Sequence, residues 1–501
     1  MSNAYIKIPN AISFNSIVEK DYTLSSSQYM DLIMPNKNFL FVRDFLNRKL
    51  QRTDLGVEVG SLNYIGQSTH YFVRTKALQS HSFLPEITSE TALSIMPNSF
   101  VKMNLKEGDL LISKDSNIGE AVILDKDYAN FMLSGAIYRL PVTEKKYYLL
   151  AFIKHSIFRE QLDFMVPKGA TIRHAKTMFL DCKIPMPNEN ADEVIHFVEV
   201  LTQAIINKEK LIKERHENIL KAIETELLEN QKPNKFSFEL PRINELETVG
   251  RLDTGLYNLD FKKLDFLITN YSNGSSKLKD LKYKPLRGPN LAISIIGVTH
   301  YSIKRISEKF YKLIQPTDLS EYGTLQTERY FGNINEIQLL KKGDILFGAE
   351  GNIGKVYVNI DINEKSVTNF HGMSITNEFV DLYNKCFIAC YIKWLRNKKY
   401  FNFYSTGGQG GSFGVEKTEN IKVPNFPEIK QDEIAKLYHN VESAYQADTF
   451  TLANFLDKDN EYNQQAGIYE LDKTAKQLKE ILNQTIDNIV NDKEIDVKFV
   501  T

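Results

Sequence analysis

The stretch AEGNIGKV (349–356) has the residue types of a phosphate cradle, glycines followed by a lysine. A P-loop wraps phosphates with backbone N–H groups, reaches them with its lysine and holds magnesium with the next Ser or Thr. Here the first glycine is missing and Val356 stands where the hydroxyl belongs. A dinucleotide fingerprint fails too, because a helix must follow and KVYVNI has the texture of a strand. His70 and His300 both sit in Thr-His-Tyr, yet no catalytic partner recurs at matching places in the two halves. There is no H-E-x-x-H, and Cys182, Cys386 and Cys390 are too few and scattered for a zinc site or a disulfide framework. No Pro-Pro dipeptide exists, so the Asn/Asp-Pro-Pro-aromatic motif of an amino-methyltransferase is absent. These absences point away from an enzyme acting alone.

The same stretch has a twin. GDLLISKDSNIGEAVI (108–123) and GDILFGAEGNIGKVYV (343–358) share six of sixteen positions without a gap, and Glu120 replaces the lysine in the first copy. Each reads as a hairpin, with its glycines and asparagine relieving backbone strain at the turn. IGQSTHYFVR (65–74) and IGVTHYSIKR (296–305) provide a second match. KYYLLAFIKHSIFREQLDFM (146–165), with helical spacing of its large apolar residues, matches YNKCFIACYIKWLRNKKYFNFY (383–404). The loops VPKGATIRHAKT (166–177) and STGGQGGSFGVEK (405–417) follow, then the stops KIPMP and KVPNFP. Four anchors in one order indicate a duplication.

Each copy is followed by a helix. From 191 to 230 glycine and proline vanish, and Val194, Val198, Leu201, Ile205, Ile212, Ile219, Ile223 and Leu227 recur on one helix face. Near the C-terminus Ile434, Leu437, Val441 and Ala444 start a similar pattern, 448–467 interrupts it, and Leu471, Ala475, Leu478, Leu482, Ile486 and Ile489 resume it. The charged tail after Asn491 is expected to fray. The boundaries are a first domain 1–186, a helix 187–232, a second domain 233–427, and a helix and tail 428–501. The fold class expected is α+β: two similar mixed α/β domains, with two long helices paired as an antiparallel coiled coil and a pseudo-two-fold internal repeat.

Net charge is −1 over 501 residues, but it is unevenly spread. Lys and Arg outnumber Asp and Glu by 22 to 18 in 1–186 and by 26 to 20 in 233–427; the ratios reverse to 6 against 10 in 187–232 and 8 against 15 in 428–501. Basic blocks suit a polyanion and acidic helices suit protein partners. Candidate DNA contacts follow from the basic blocks. Arg74, Lys304 and Arg305 lie beside the His-Tyr pairs; Lys114, Asn117 and Lys355 lie in the hairpin turns. Lys168, Arg173 and His174 crowd the first loop, while Gln409, Ser412 and Lys417 stand in or beside the Gly-rich second one. Backbone N–H groups of such loops approach phosphates, and Gln, Arg and Lys can read base edges. No catalytic or metal residue is expected. The N-terminus has no signal-peptide pattern and no run of eighteen apolar residues exists, so the expected location is the cytoplasm.

With these motifs in place, the chain resembles the specificity subunit of Type I restriction–modification systems along essentially its whole length. The resemblance rests on the twin hairpins, the Gly loops running into the Pro stops, the helix after each domain, and RLDTGLYN (251–258). It implies two target-recognition domains, each reading half of a split double-stranded DNA site, with the helices as spacer and as dock for two methyltransferase subunits. It also implies restriction/translocase subunits as partners; S-adenosylmethionine, ATP and magnesium would belong to partners, with no cofactor on this chain. Two features depart from the family pattern: the 448–467 interruption, and the lack of a clear RLDTGLYN counterpart in the first domain, where EKDYTLSSSQYM (19–30) is nearest. Competing assignments are a specificity subunit of another methyltransferase–nuclease assembly and a coiled-coil scaffold with no DNA role.

Overall fold

In a computed structural model, the repeated stretch folds twice into the same buried hairpin. Leu110–Ser113 pairs antiparallel with Ala121–Ile123, and Ile345–Gly348 with Val356–Val358. A third strand closes the other side of each, Ile137–Leu140 and Gly372–Thr376. All four residues of Leu110–Ser113 and of Ile345–Gly348 are buried. Their apolar runs LLI and ILF therefore do not alternate, as expected of strands covered on both faces. The turns hydrogen-bond identically. Gly119 donates to the Ser113 carbonyl at 2.8 Å and Gly354 to that of Gly348 at 2.9 Å. Lys114 donates to Ala136 and Ala349 to His371, both at 2.9 Å. Gly119 and Gly354 hold φ of +76° and +81°, and an added Cβ would fall 2.3 Å from Leu162 Cδ1 or 2.4 Å from Phe401 Cδ2. The glycines are thus fixed both by backbone conformation and by the helix lying against the turn. The lysine at 355 is followed by the strand Val356–Val358, not by a nucleotide-binding helix.

The structure describes residues 5–19, 22, 24, 26–166, 176–250, 255–361, 365–405, 411–442 and 444–499. They fall into two units. The first comprises Met1–Lys210, Ala444–Gln464 and Lys473–Thr501; the second comprises Leu211–Ser443 and Gln465–Asp472.

Each unit has a second sheet, and here one sequence anchor is corrected. In the first unit Tyr71–Val73 is the central strand, antiparallel to Ala92–Ser94 and parallel to Phe131–Leu133. In the second, that position belongs to Phe310–Leu313, antiparallel to Arg329–Gly332 and parallel to Ser366–Val367. His300–Ser302 is instead the edge strand beyond Arg329–Gly332, with Tyr301 opposite Phe331. In the first unit the same edge is reduced to one bridge, Tyr64 opposite Ile95. The Thr-His-Tyr match is therefore not a structural equivalence: Tyr71 and Tyr301 stand in different strands. The true correspondence is marked by Gly56 and Gly288. There an added Cβ would strike the Ser134 carbonyl oxygen at 2.0 Å or that of Asn369 at 2.2 Å.

The aromatic helices pack behind the hairpins, each in two pieces. Lys146–Lys154 and Ser156–Met165 break at His155, which has extended backbone. Leu382–Asn397 and Tyr400–Tyr404 break before Lys399, at φ +59°. The Pro stops form short strands, Lys183–Pro185 on Phe39–Phe41 and Lys422–Pro424 on Ser275–Lys277.

The predicted long helix is Ala191–Glu229. All eight apolar positions named from its spacing are buried. Within the first unit its opening half runs antiparallel to the end of the helix Ile468–Val490. Asn188 Nδ2 donates to Asp492 Oδ1 and Lys479 Nζ to Glu209 Oε1, each at 2.7 Å. The C-terminal pattern needs revision. Glu428–Tyr438 ends before Val441 and Ala444, which are exposed. The 448–467 interruption contains its own helix, Phe455–Gln465. That helix is fixed by Lys208, which is fully buried and meets Asp459 Oδ1 at 2.7 Å and Asn463 Oδ1 at 2.6 Å. Tyr445 and Tyr462 rings lie 4.9 and 5.0 Å from its ammonium. The tail is also anchored, not frayed: Phe499 stacks on Phe455 at 4.0 Å and meets Phe197 edge-on at 5.1 Å. One aromatic side chain outweighs the local charge because its burial is worth about 1.5–3 kcal/mol.

Candidate nucleic-acid interface

The hairpin turns divide the candidate residues into inward and outward ones. Asn117 points back into the fold, where its Nδ2 donates to the Leu78 carbonyl at 3.2 Å and more weakly to Thr75 at 3.4 Å. Lys355 does the same in the second unit, its Nζ donating to the Leu319 carbonyl at 2.8 Å and pairing with Glu321 at 3.3 Å. Leu78 and Leu319 each follow a 3-10 turn, Thr75–Ala77 and Pro316–Asp318. Both side chains thus staple the hairpin to the segment after the central strand. Lys114 pairs with Asp115, and both are mostly buried.

A buried lysine on each aromatic helix reaches the segment that follows the 3-10 turn. Lys154 Nζ donates to the Gln79 carbonyl at 2.6 Å and lies 3.6 Å from Glu120. Its pKa falls to about 8 because burial disfavours the ammonium, with Glu120 acting in the opposite direction. Lys393 donates to the Tyr322 carbonyl at 3.1 Å, and burial lowers its pKa as well.

The outward residues are fewer. Arg74 is exposed just before the 3-10 turn, its backbone N–H held by Thr91 at 2.9 Å. Lys304 is exposed after the edge strand His300–Ser302, and Arg305 pairs with Glu308 at 2.7 Å. Lys417 Nζ donates to the Tyr404 carbonyl at 3.1 Å, closing the base of the Gly-rich loop. Lys168, Arg173, His174 and Gln409 lie outside the described residues.

Ser412 leads to a cluster that the sequence did not reveal. It bridges Glu350 across the backbone, which brings the end of the Gly-rich loop onto the hairpin turn. Arg287 donates to Glu350 Oε1 at 2.7 Å and reaches Ser412 Oγ at 3.4 Å. His371 Nδ1 meets Glu350 Oε2 at 2.7 Å. Among the described residues, Arg287 Nη1 is buried with no hydrogen-bond partner. Loop end, hairpin tip, Arg287 and His371 thus converge at one rim, with the Glu350 carboxylate between the two side chains. The corresponding first-unit positions are Asp115 for Glu350 and Ala136 for His371, as the paired turn hydrogen bonds show. The sequence signals for this cluster are Ser412 and the change from Asp115 to Glu350 between the two turns. Arg287 and His371 come from segments remote in the chain. The arrangement offers fixed donors at a solvent-facing rim, suited to recognition of polar groups. Among the described residues there is no His, Cys, Asp and Glu grouping able to hold a metal, and no helix long and apolar enough to cross a membrane.

A family model described as the Type I restriction modification DNA specificity domain matches residues 71–221, from the first central strand through much of the long helix. No curated protein matches. Among solved structures, the type I restriction–modification S subunit of M. genitalium is 13% identical, with 91% of this chain and 95% of that chain covered and a TM-score of 0.30. The HsdS subunit of Thermoanaerobacter tengcongensis is 12% identical, over 91% and 96%, with a TM-score of 0.26. A chain from a structure of type I R-M complex assembly and conformational transition is 9% identical, over 91% and 98%, with a TM-score of 0.27. These overlays are loose, and the fold rests on this chain's own strand pairings. Over residues 71–221 the chain carries a domain of the Type I restriction modification DNA specificity family.

Proposed function

We propose that this chain is a non-catalytic DNA-recognition subunit. It reads a bipartite, asymmetric target and directs methyltransferase and restriction subunits to it. The observation that carries this is one frame used twice with different rims. The hairpin, its glycine turn and a buried lysine on the helix behind it recur in both units, with the turn stapled by Asn117 in one and Lys355 in the other, while Lys114-Asp115 and Ala136 are replaced by Ala349-Glu350 and His371. A repeated scaffold with changed rim chemistry suits two half-sites of different sequence. The DNA specificity family matched by residues 71–221 supports DNA as the ligand.

The helices Ala191–Glu229 and Ile468–Val490 are assigned the spacer role, with methyltransferase subunits docking on their acidic faces. A 39-residue helix is about 60 Å long at roughly 1.5 Å per residue. Half-sites about one helical turn apart, roughly 34 Å, are within its reach. S-adenosylmethionine, ATP and magnesium belong to the partner subunits. Electrophoretic shift at rising salt tests the DNA role itself: affinity for duplex should fall steeply as salt rises. Weak, salt-independent retention would favour a scaffold protein instead.

A further inference from the structure

The second unit exposes several aliphatic side chains along a segment whose counterpart in the first unit is shorter and exposes Leu62 and Tyr64. Gly56 and Phe72 correspond to Gly288 and Leu313, so the chain between these points is nine residues longer in the second unit, 25 against 16. In this longer crossing Val298 is 86% exposed, Ile303 80%, Ile293 67% and Ile306 61%. Side chains of this size normally find cover, and a contiguous exposed group marks a contact surface.

The segment is held in place. Ile296 is buried with Tyr311, Leu313, Phe331 and Val367. The side-chain amides of Asn333 and Asn335 both donate to the Ile296 carbonyl, at 3.0 and 2.9 Å. The edge strand His300–Ser302 then pairs with Arg329–Gly332, and no strand covers its outer side among the described residues. An open apolar edge invites aggregation unless a partner uses it.

Charge indicates which partner. Lys304 and Lys309 are exposed among these apolar residues, and Arg305 is tied to Glu308, the one acidic residue between 291 and 310. We infer that the segment 293–309 enters a groove of double-stranded DNA. Val298 and Ile303 lie against base edges, and Lys304 and Lys309 lie against the phosphates. Aliphatic side chains contact bases in this way, while lysines supply affinity without sequence information. The inference rests on the DNA-reading function proposed above and names a specificity-determining segment within the second unit.

The test uses the full chain and two fluorescent duplexes, one carrying the target defined by methylation mapping and one scrambled. The double variant Val298→Ser/Ile303→Ser should lose about tenfold in affinity for the target and little for the scrambled duplex. Lys304→Ala should weaken both and lower the salt slope by about one. All the altered side chains are exposed, so melting temperatures should not move. Unchanged target affinity in the double variant overturns the inference. So does unchanged DNA binding combined with loss of a co-purifying methyltransferase subunit, since the surface would then dock protein. If the unaltered chain fails to prefer its target, the proposed function falls together with this inference.

Discussion

In the first unit the turn of the buried hairpin carries Lys114 paired with Asp115; in the second, Glu350 sits between Arg287 and His371. Beneath both turns the same glycine occupies a left-handed conformation against the same helix. The edge of the second sheet differs as well, one bridge at Tyr64 against a strand at His300–Ser302. The repeat thus keeps the glycine turn and the helix behind it and changes the ion pairs at the tip of the turn. A core position is constrained by every neighbour at once; a rim position is constrained only by what it binds.

The first unit has an addition of its own, and it should produce the largest effect. Lys208 and Asp459 are paired without water access. Lys208→Met would leave a buried carboxylate uncompensated, at a cost of about 3–5 kcal/mol. Lys208→Met/Asp459→Leu should recover most of that. Urea unfolding checks both, and an unimpaired single variant would show that the insert is not held as described.

Next come the shared glycines. Gly119→Ala and Gly354→Ala should each cost about 2–4 kcal/mol, from left-handed strain and overpacking together. Gly351→Ala, with φ of +68° but open space around it, should cost about 1–2 kcal/mol. Calorimetry on the three variants sharpens the comparison. A tolerated Gly354→Ala beside a damaging Gly119→Ala would mean the frames are not equivalent.

Two buried aspartates give opposite pH signs. Asp54 accepts both Arg48 guanidinium nitrogens, at 2.6 and 2.7 Å, and this pairing holds its carboxyl below the usual range. Its contribution is therefore present above the ordinary carboxylate pKa and is lost as pH falls through the depressed value. Asp318 also meets an arginine, Arg329, but burial raises its pKa. Its contribution is present below the ordinary pKa and is lost as pH rises through the raised one. Asp54→Asn should cost about 1–2 kcal/mol at neutral pH, with the difference from the parent vanishing in acid. Asp318→Asn should cost less at neutral pH. Denaturation midpoints across pH 3–7 measure both, and parallel curves would contradict the assigned signs.

A last group of effects is on binding. Arg173→Ala and Lys417→Ala should each weaken DNA binding by about 1–3 kcal/mol if they read bases. Lys355→Met should lower stability while leaving DNA binding intact, because Lys355 faces the Leu319 carbonyl. Unchanged affinity and methylation in Arg173→Ala and Lys417→Ala would remove those two side chains from the interface.

How much of this was legible beforehand depends on the range of the interaction concerned. The long helix was readable because its buried face is a local spacing, and Val194 through Leu227 all lie inside. The hairpin was readable because its two strands and turn are contiguous. The Thr-His-Tyr anchor misled because identity says nothing about pairing; parallel pairing of Tyr71 with Phe131, sixty residues away, decides which strand is central. Arg287, Glu350 and His371 meet only after three segments fold together, so no local pattern announced them. Phe499 hid in a charged tail because its partner is a residue of the insert, Phe455.

Methylome sequencing of a host expressing this chain with its methyltransferase tests most directly whether one frame with two rims reads two half-sites. The expected result is modification of a single bipartite motif with two different halves. Exchanging Arg287, Glu350 and His371 for other residues should alter one half only. A palindromic motif, or a change in both halves from that exchange, would contradict the proposal.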